Sequence, residues 1–169
     1  MLIRSFVSAC LILTVTSFAT AGADPQAVKI SQFSGKPVPR FESLRYSAVH
    51  GRKGPSRDHK IVWRYEREGM PVLVIKETRD WVQVRDADGD EVWVQARMLK
   101  DAPHIVLMTE SVMRKKPNVA ARGVATLQEG VVAELDHCEA AWCEIKADKY
   151  RGWVSKSAIW GTEIQTGGL

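Results

Sequence analysis

Two stretches of this chain repeat one another. Arg52 to Gly69 reads RKGPSRDHKIVWRYEREG and Arg114 to Gly130 reads RKKPNVAARGVATLQEG; both open Arg-Lys-x-Pro and close on Glu-Gly. An apolar run follows each glycine, Val72 to Ile75 and Val131 to Leu135. A tryptophan stands twelve residues beyond it, Trp81 after Gly69 and Trp142 after Gly130. Val92-Trp93-Val94 and Gly152-Trp153-Val154 are the next shared landmarks. The offset between copies is 62 at the proline, 61 at the glycine and first tryptophan, and 60 at the second tryptophan, so each slip falls where a loop absorbs it. A period of about sixty residues means two similar small units side by side, each near the lower size limit for an independent core.

Within each unit the periodicity is two. Ile61, Trp63 and Tyr65 alternate with Val62, Arg64 and Glu66; Trp81 to Arg85 alternates again, and Asp86-Ala87-Asp88-Gly89-Asp90 carries the Asp-Gly turn signal before Glu91 to Gln95 returns as its partner. The second copy repeats the scheme with Trp142 to Ala147, a turn near Asp148-Lys149, and Arg151 to Ser155. No stretch past the leader holds a 3.6-residue period. The expected class is all-β, two tandem small barrels at residues 41–100 and 104–161. An extended Pro-bearing linker over 24–40 precedes them and a short tail over 162–169 follows.

Residues 1–23 read as an address. Arg4 supplies a positive start, Phe6 to Val15 a short apolar run, and Ala19, Ala21 and Ala23 the small residues of a cleavage site after Ala21 or Ala23. The expectation is a signal peptide and a periplasmic or secreted protein, with no membrane anchor after cleavage. Val7-Ser8-Ala9-Cys10 resembles a lipoprotein box, but too little apolar sequence precedes Cys10. Removing the leader leaves Cys138 and Cys143, which an oxidising compartment is expected to pair.

The order Arg-x-Gly-Pro-Ser, x-x-Gly, apolar strand, x-x-Trp-x-x-Val and x-Trp-Val resembles the bacterial SH3 (SH3b) domain. Pro37 to Arg45 followed by Gly54-Pro55-Ser56-Arg57-Asp58-His59 resembles exported proteobacterial proteins with tandem SH3-like domains, in which the second copy often carries a Cys pair flanking a Trp, as Cys138 and Trp142-Cys143 do here. The resemblance covers about residues 36 to 161 and implies two SH3-like β-barrels. Val92, where a glycine usually precedes the tryptophan, and Lys116, where the first copy has Gly54, depart from the pattern.

Candidate binding residues follow from charge and aromaticity. Between Arg40 and Arg67 there are eight basic residues against three acids, and Arg114, Lys115, Lys116 and Arg122 mirror them in the second copy. Aromatic grooves are how SH3-like barrels hold extended peptides. The candidates are Arg52, Arg57, Trp63, Tyr65 and Trp81 in the first unit and Arg114, Trp142 and Tyr150 in the second, with Trp63 and Tyr65 sharing a strand face as an exposed aromatic surface. The recurring Trp81/Trp142 and Trp93/Trp153 are equally explained as core, and in domains this small the core is the preferred reading. Trp160, present in one copy only, is expected at the junction or at the end of the second unit.

Catalytic patterns are absent: no Gly-x-Ser-x-Gly, no phosphate loop, no His-Glu-x-x-His and no dinucleotide fingerprint. His50, His59, His104 and His137 show no metal spacing and are read as surface or loop residues, so neither metal nor cofactor is expected. The functional expectation is a non-catalytic periplasmic module that recognises cell-wall peptide, peptidoglycan or an envelope protein. A structural or assembly component of an envelope complex is the alternative, and a cell-wall hydrolase or thiol oxidoreductase stands third. The formal net charge of +4 is modest, and nucleic acid is not an expected partner.

Overall fold

The computed structural model describes residues 29–162; the leader expected over 1–23 and the tail beyond Thr162 lie outside them. The chain begins with a hairpin, β1 (Lys29–Ile30) and β2 (Pro37–Val38), which pair antiparallel as a two-stranded sheet of their own. This differs from the extended linker expected over 24–40. The Ser31 amide donates to the Lys36 carbonyl (2.9 Å) and the Gly35 amide to the Ser31 carbonyl (2.9 Å), with Gly35 at φ +70°, which closes a turn. Lys36 then pairs with Glu42 (3.0 Å), and Arg40 with Glu42 and Glu77. Burial pushes the Glu77 carboxyl up, but hydrogen bonds from Ser31, Ser34 and Arg40 outweigh it and hold that carboxyl below the usual range, so the hairpin docks on a carboxylate anchor.

The first barrel is built from β3 (Arg40–Leu44), β4 (Val49–Arg52), β5 (Ile61–Tyr65), β6 (Pro71–Glu77), β7 (Trp81–Arg85), β8 (Glu91–Gln95) and β9 (Leu99–Lys100). The second has β10 (His104–Leu107), β11 (Ser111–Arg114), β12 (Gly123–Leu127), β13 (Val132–Glu139), β14 (Trp142–Ala147), β15 (Tyr150–Ser155) and β16 (Ile159–Trp160). One sheet runs β5-β4-β8-β7-β6-β3-β9 and the other β12-β11-β15-β14-β13-β10-β16, the same order strand for strand. A single 3₁₀ turn, Ala96–Met98 or Lys156–Ala158, precedes the last strand of each. The sequence repeat is therefore a repeat of topology.

Alternation decides what is inside. Val72 and Val74 on β6, Val82 and Val84 on β7, and Val92 and Val94 on β8 meet Leu44, Val49, Tyr65 and Leu99 in the first core. Ile105, Leu107, Met113, Leu127, Cys143, Ile145, Val154 and Ile159 form the second. Because the valines flanking them take the inward positions, Trp93 and Trp153 face outward and are half-buried, as is Trp142, while Trp81 is nearly covered but lies outside the valine cluster. The preference for tryptophan as barrel core is corrected for Trp93, Trp142 and Trp153, which are half-buried outer walls, whereas Trp81 is buried; aliphatic side chains make up most of the packed clusters of both interiors.

Both turns with offset slips are visible. Between β7 and β8 the first copy uses five residues with Gly89 at φ +93°, whereas the second uses Asp148-Lys149 with Asp148 at φ +53°. The other slip lies between β5 and β6 and between β12 and β13, which close on Gly69 and Gly130 at φ +76° and +78°.

Candidate functional site

The loop between β4 and β5 carries Lys53, Arg57 and Lys60 of the predicted basic cluster, and it is folded on itself. The His59 ring lies over Gly54, where a Cβ would come within 2.4 Å of the imidazole, and the Ser56 hydroxyl hydrogen-bonds His59 Nδ1 (2.9 Å). Only glycine admits that approach. Arg52 donates to the carbonyls of Arg57 (2.8 Å) and His59 (2.7 Å), and Arg114, its counterpart, donates to the Ala121 carbonyl (2.9 Å). Two of the three predicted ligand arginines, Arg52 and Arg114, thus clamp their own loops by donating to loop carbonyls.

Three predicted residues come together. Arg52, Arg57 and Trp81 line a shallow pocket of ≈ 70 Å³ with His50, Gln95 and Met98, a volume suited to one small group such as a carboxylate. Its lining combines two arginines and a histidine with an indole.

Trp63 and Tyr65 lie elsewhere, and the structure separates their roles. Trp63 is 44% exposed, as expected, but Tyr65 is only 5% exposed. Its hydroxyl donates to the carboxylate of Asp86 (3.1 Å), which is itself buried and accepts the Asp90 amide (2.9 Å). Burial, with the charges of Asp86, Asp90 and Asp88, pushes the Tyr65 phenol far above its ordinary value. The exposed aromatic pair is corrected to Trp63 alone: β5 dips into the barrel at its end, where Asp86 waits for the phenol. Both line a groove of ≈ 620 Å³ between the barrels, closed on the far side by Met108 and Glu129 of the second unit.

In the second unit the candidates disperse. Trp142 is half-buried opposite Glu139 and Ser155, and Tyr150 is exposed at a hairpin tip with the Lys149 ammonium 5.4 Å from its ring centroid. Cys138 and Cys143 are directly opposed on β13 and β14 and bonded, with Cα atoms 4.0 Å apart, the close spacing of a non-hydrogen-bonded antiparallel pair. His137 is exposed, its Nδ1 3.2 Å from Asp136 and Nε2 3.3 Å from Glu139, with its ring edge-on to Trp153. Those hydrogen bonds raise its pKa, Asp136 first and Glu139 second. Asp136, His137 and Glu144 hold ligand atoms within 4.8 Å of one another, but Arg151 also reaches Asp136 (3.4 Å) and Glu144 (3.9 Å), so the group is an ion-pair network with its cations supplied. His104, read as a surface residue, is half-buried: its ring covers Gly69, leaving 2.8 Å for a Cβ there.

Sequence reasoning missed one cavity. A cleft of ≈ 800 Å³ separates the amino-terminal hairpin from β6, with Ile30, Phe33, Leu73 and Ile75 among its walls. Its only signal was the pair Ile30 and Phe33 in a segment whose prolines suggested a linker.

Two seven-stranded barrels of identical strand order, with aromatic outer walls, basic loops and grooves, define a tandem small-barrel architecture. The sequence pattern of the bacterial SH3 domain matches residues 46–101 and 108–161. The chain belongs to that family, with two copies of its domain. No curated protein matches it along its sequence. Among solved structures it is similar to NlpC2 from Trichomonas vaginalis, at 14% identity and TM-score 0.38 over 77% of this chain and 51% of that one. It is also similar to NlpC1 of the same organism, at 14% identity and TM-score 0.35 over 81% and 51%. This chain spans about half the length of each.

Proposed function

We propose that this protein is an exported, periplasmic binding module without catalytic activity, recognising cell-wall peptide, peptidoglycan or an envelope protein. The observation that carries the reading is the small pocket that Arg57, His50 and Arg52 line together with Trp81 on a bacterial SH3 domain. Such a surface attracts a peptide carboxylate and packs its apolar neighbour. Export is supported by the leader pattern and by the Cys138–Cys143 bond, which suits an oxidising compartment. The non-catalytic reading is supported by the sequence, which carries none of the hydrolase or nucleotide motifs, and by the Cys138 sulfur beside His137 being bonded to Cys143.

The test is co-sedimentation with purified sacculi. The protein is expected in the pellet at low salt and in the supernatant at about 0.5 M salt, where the screening length falls to a few ångströms. Arg57→Glu, which inverts a charge on an exposed loop, is expected to abolish retention without changing the melting temperature. Full recovery of the unaltered protein in the low-salt supernatant would overturn the cell-wall reading in favour of an envelope-protein partner or a purely structural role.

A further inference from the structure

The two copies differ at one edge in a way their shared fold does not require. Among the described residues β5 ends its sheet, with β4 as its one neighbour, and β12 holds the same place in the second sheet. On β12 the residues are small: Gly123, Val124, Ala125, Thr126. On β5 they are Ile61, Val62, Trp63 and Arg64, and the first three are 41%, 40% and 44% exposed. An open edge carrying consecutive exposed apolar side chains is a template for another strand, and proteins ordinarily blunt such edges. The second copy presents only small side chains there, Val124 being 37% exposed, and the first presents the larger apolar surface. The second barrel folds with Ala125 where the first has Trp63, so the shared fold does not require that tryptophan; its ring meets Tyr65 edge-on at 6.3 Å and leaves 44% of the residue exposed.

What lies beside the edge defines the occupant. The groove of ≈ 620 Å³ starts at Trp63 and runs to Met108 of the second barrel, giving an apolar floor flanked by four carboxylates against two guanidiniums. Both guanidiniums are engaged: Arg64 faces Glu66 at 3.5 Å, and Arg67 donates across the junction to the Gly130 carbonyl. Among the described residues neither Asp88 nor Glu129 has an ion-pair partner. In a chain with pI ≈ 9.0 this is an acidic trough, and the second copy lacks its foundation, with Ala147 in place of Asp86 and Leu127 in place of Tyr65.

We infer that β5 and the interbarrel groove together take an extended peptide bearing a cationic side chain. The peptide adds a strand to the edge by main-chain hydrogen bonds, lays its apolar residues on Ile61 and Trp63, and places an ammonium or guanidinium between Asp88 and Glu129 beside the indole. The proposal rests on the reading of the protein as a binding module but assigns a different surface from the Trp81 pocket and the opposite ligand charge. Both barrels contribute to it, which gives the tandem arrangement a use.

The experiment titrates the purified protein with two blocked octapeptides, one alternating valine with lysine and the other valine with glutamate. Tryptophan fluorescence and calorimetry follow binding, and amide hydrogen exchange follows β5. The lysine peptide is expected to bind, weakening at high salt, and to slow exchange across Val62 to Arg64; the glutamate peptide is expected not to bind. Trp63→Ala, which copies Ala125 of the second unit, and the pair Asp88→Asn with Glu129→Gln should each weaken binding about tenfold. Equal binding of both peptides, undiminished binding by either variant, or unprotected β5 amides would each overturn the inference. Sacculus binding by a protein that ignores both peptides would sink this assignment and leave the recognition reading standing; failure of both experiments would remove the two together.

Discussion

Valine stands at position 92 where the duplicated unit has Gly152, and glycine at 51 where it has Met113. Arg52 is paired with Trp93 and Arg114 with Trp153, so these four positions are two equivalent cross-strand neighbours. A Cβ on Gly51 would stand 2.7 Å from Val92 Cγ2, and one on Gly152 would stand 2.8 Å from Met113 Cγ. The same volume is filled from opposite strands, which explains why the first copy tolerates a residue other than glycine before its tryptophan. Gly51→Met is therefore expected to destabilise the first barrel by about 1–3 kcal/mol through overpacking. Adding Val92→Gly should return a large part, because it recreates the pairing of the second copy, and a double-mutant cycle in urea reads that coupling. Tyr65 and Asp86 make a second exchange, against Leu127 and Ala147. Asp86→Ala alone should cost about 1–3 kcal/mol by leaving a buried hydroxyl unpaired, and Tyr65→Leu in the same molecule should reduce that loss. Neither partnership was legible in the sequence. The alternation placed Trp63 and Tyr65 on one face correctly, but only the turn that brings in Asp86 shows which of them is covered.

The β13–β14 hairpin is the element with the most chemistry and the clearest sequence signals. Its strands were readable from alternation, and the Cys138–Cys143 pairing from their spacing and the leader. Alkylating the unreduced protein should label neither cysteine, and reducing the bond should cost about 2 kcal/mol on a loop-closure basis, since the loop is short. His137 adds a pH dependence that spacing alone did not suggest, because it depends on Asp136, Glu139, Glu144 and Arg151 converging around one ring. Its pKa is raised in the folded protein. The contribution is complete below the ordinary histidine value and is lost as pH rises through the elevated one. An NMR titration should find the His137 midpoint above that ordinary value, and Asp136→Asn should lower it. The amino-terminal hairpin was the least legible element. Its two-residue strands carry no periodicity, and what fixes them is Glu77, nearly forty residues away, bonded to Ser34 and Arg40.

The whole molecule depends on how its halves meet. Three residues, Asp101 to Pro103, separate β9 from β10, and the Ser43 hydroxyl donates to the Ala102 carbonyl in that connector (2.6 Å). The Trp160 ring, at the end of the second barrel, packs edge-on against Phe41 on the first strand of the first, with centroids 4.8 Å apart. Nearby, a Cβ on Gly161 would lie 2.9 Å from Pro71 Cβ and 2.6 Å from the His104 carbonyl. The last strand of one unit is thus seated on the first strands of the other, and Arg67 bonded to Gly130 closes the side that forms the groove. Barrels of this size have little stability to spare, so their mutual burial should make them unfold together. The intact protein is expected to melt in one calorimetric transition with matching van't Hoff and calorimetric enthalpies. Trp160→Ala removes the aromatic contact and should lower stability by about 1–3 kcal/mol, less than a fully buried tryptophan costs because the ring is half-exposed. It should also split the transition in two, since either barrel keeps its own core of valine, leucine and isoleucine. A single unaltered transition in that variant would show that the junction does not couple the two halves, and the interbarrel groove would then lack the fixed walls that a bound strand requires.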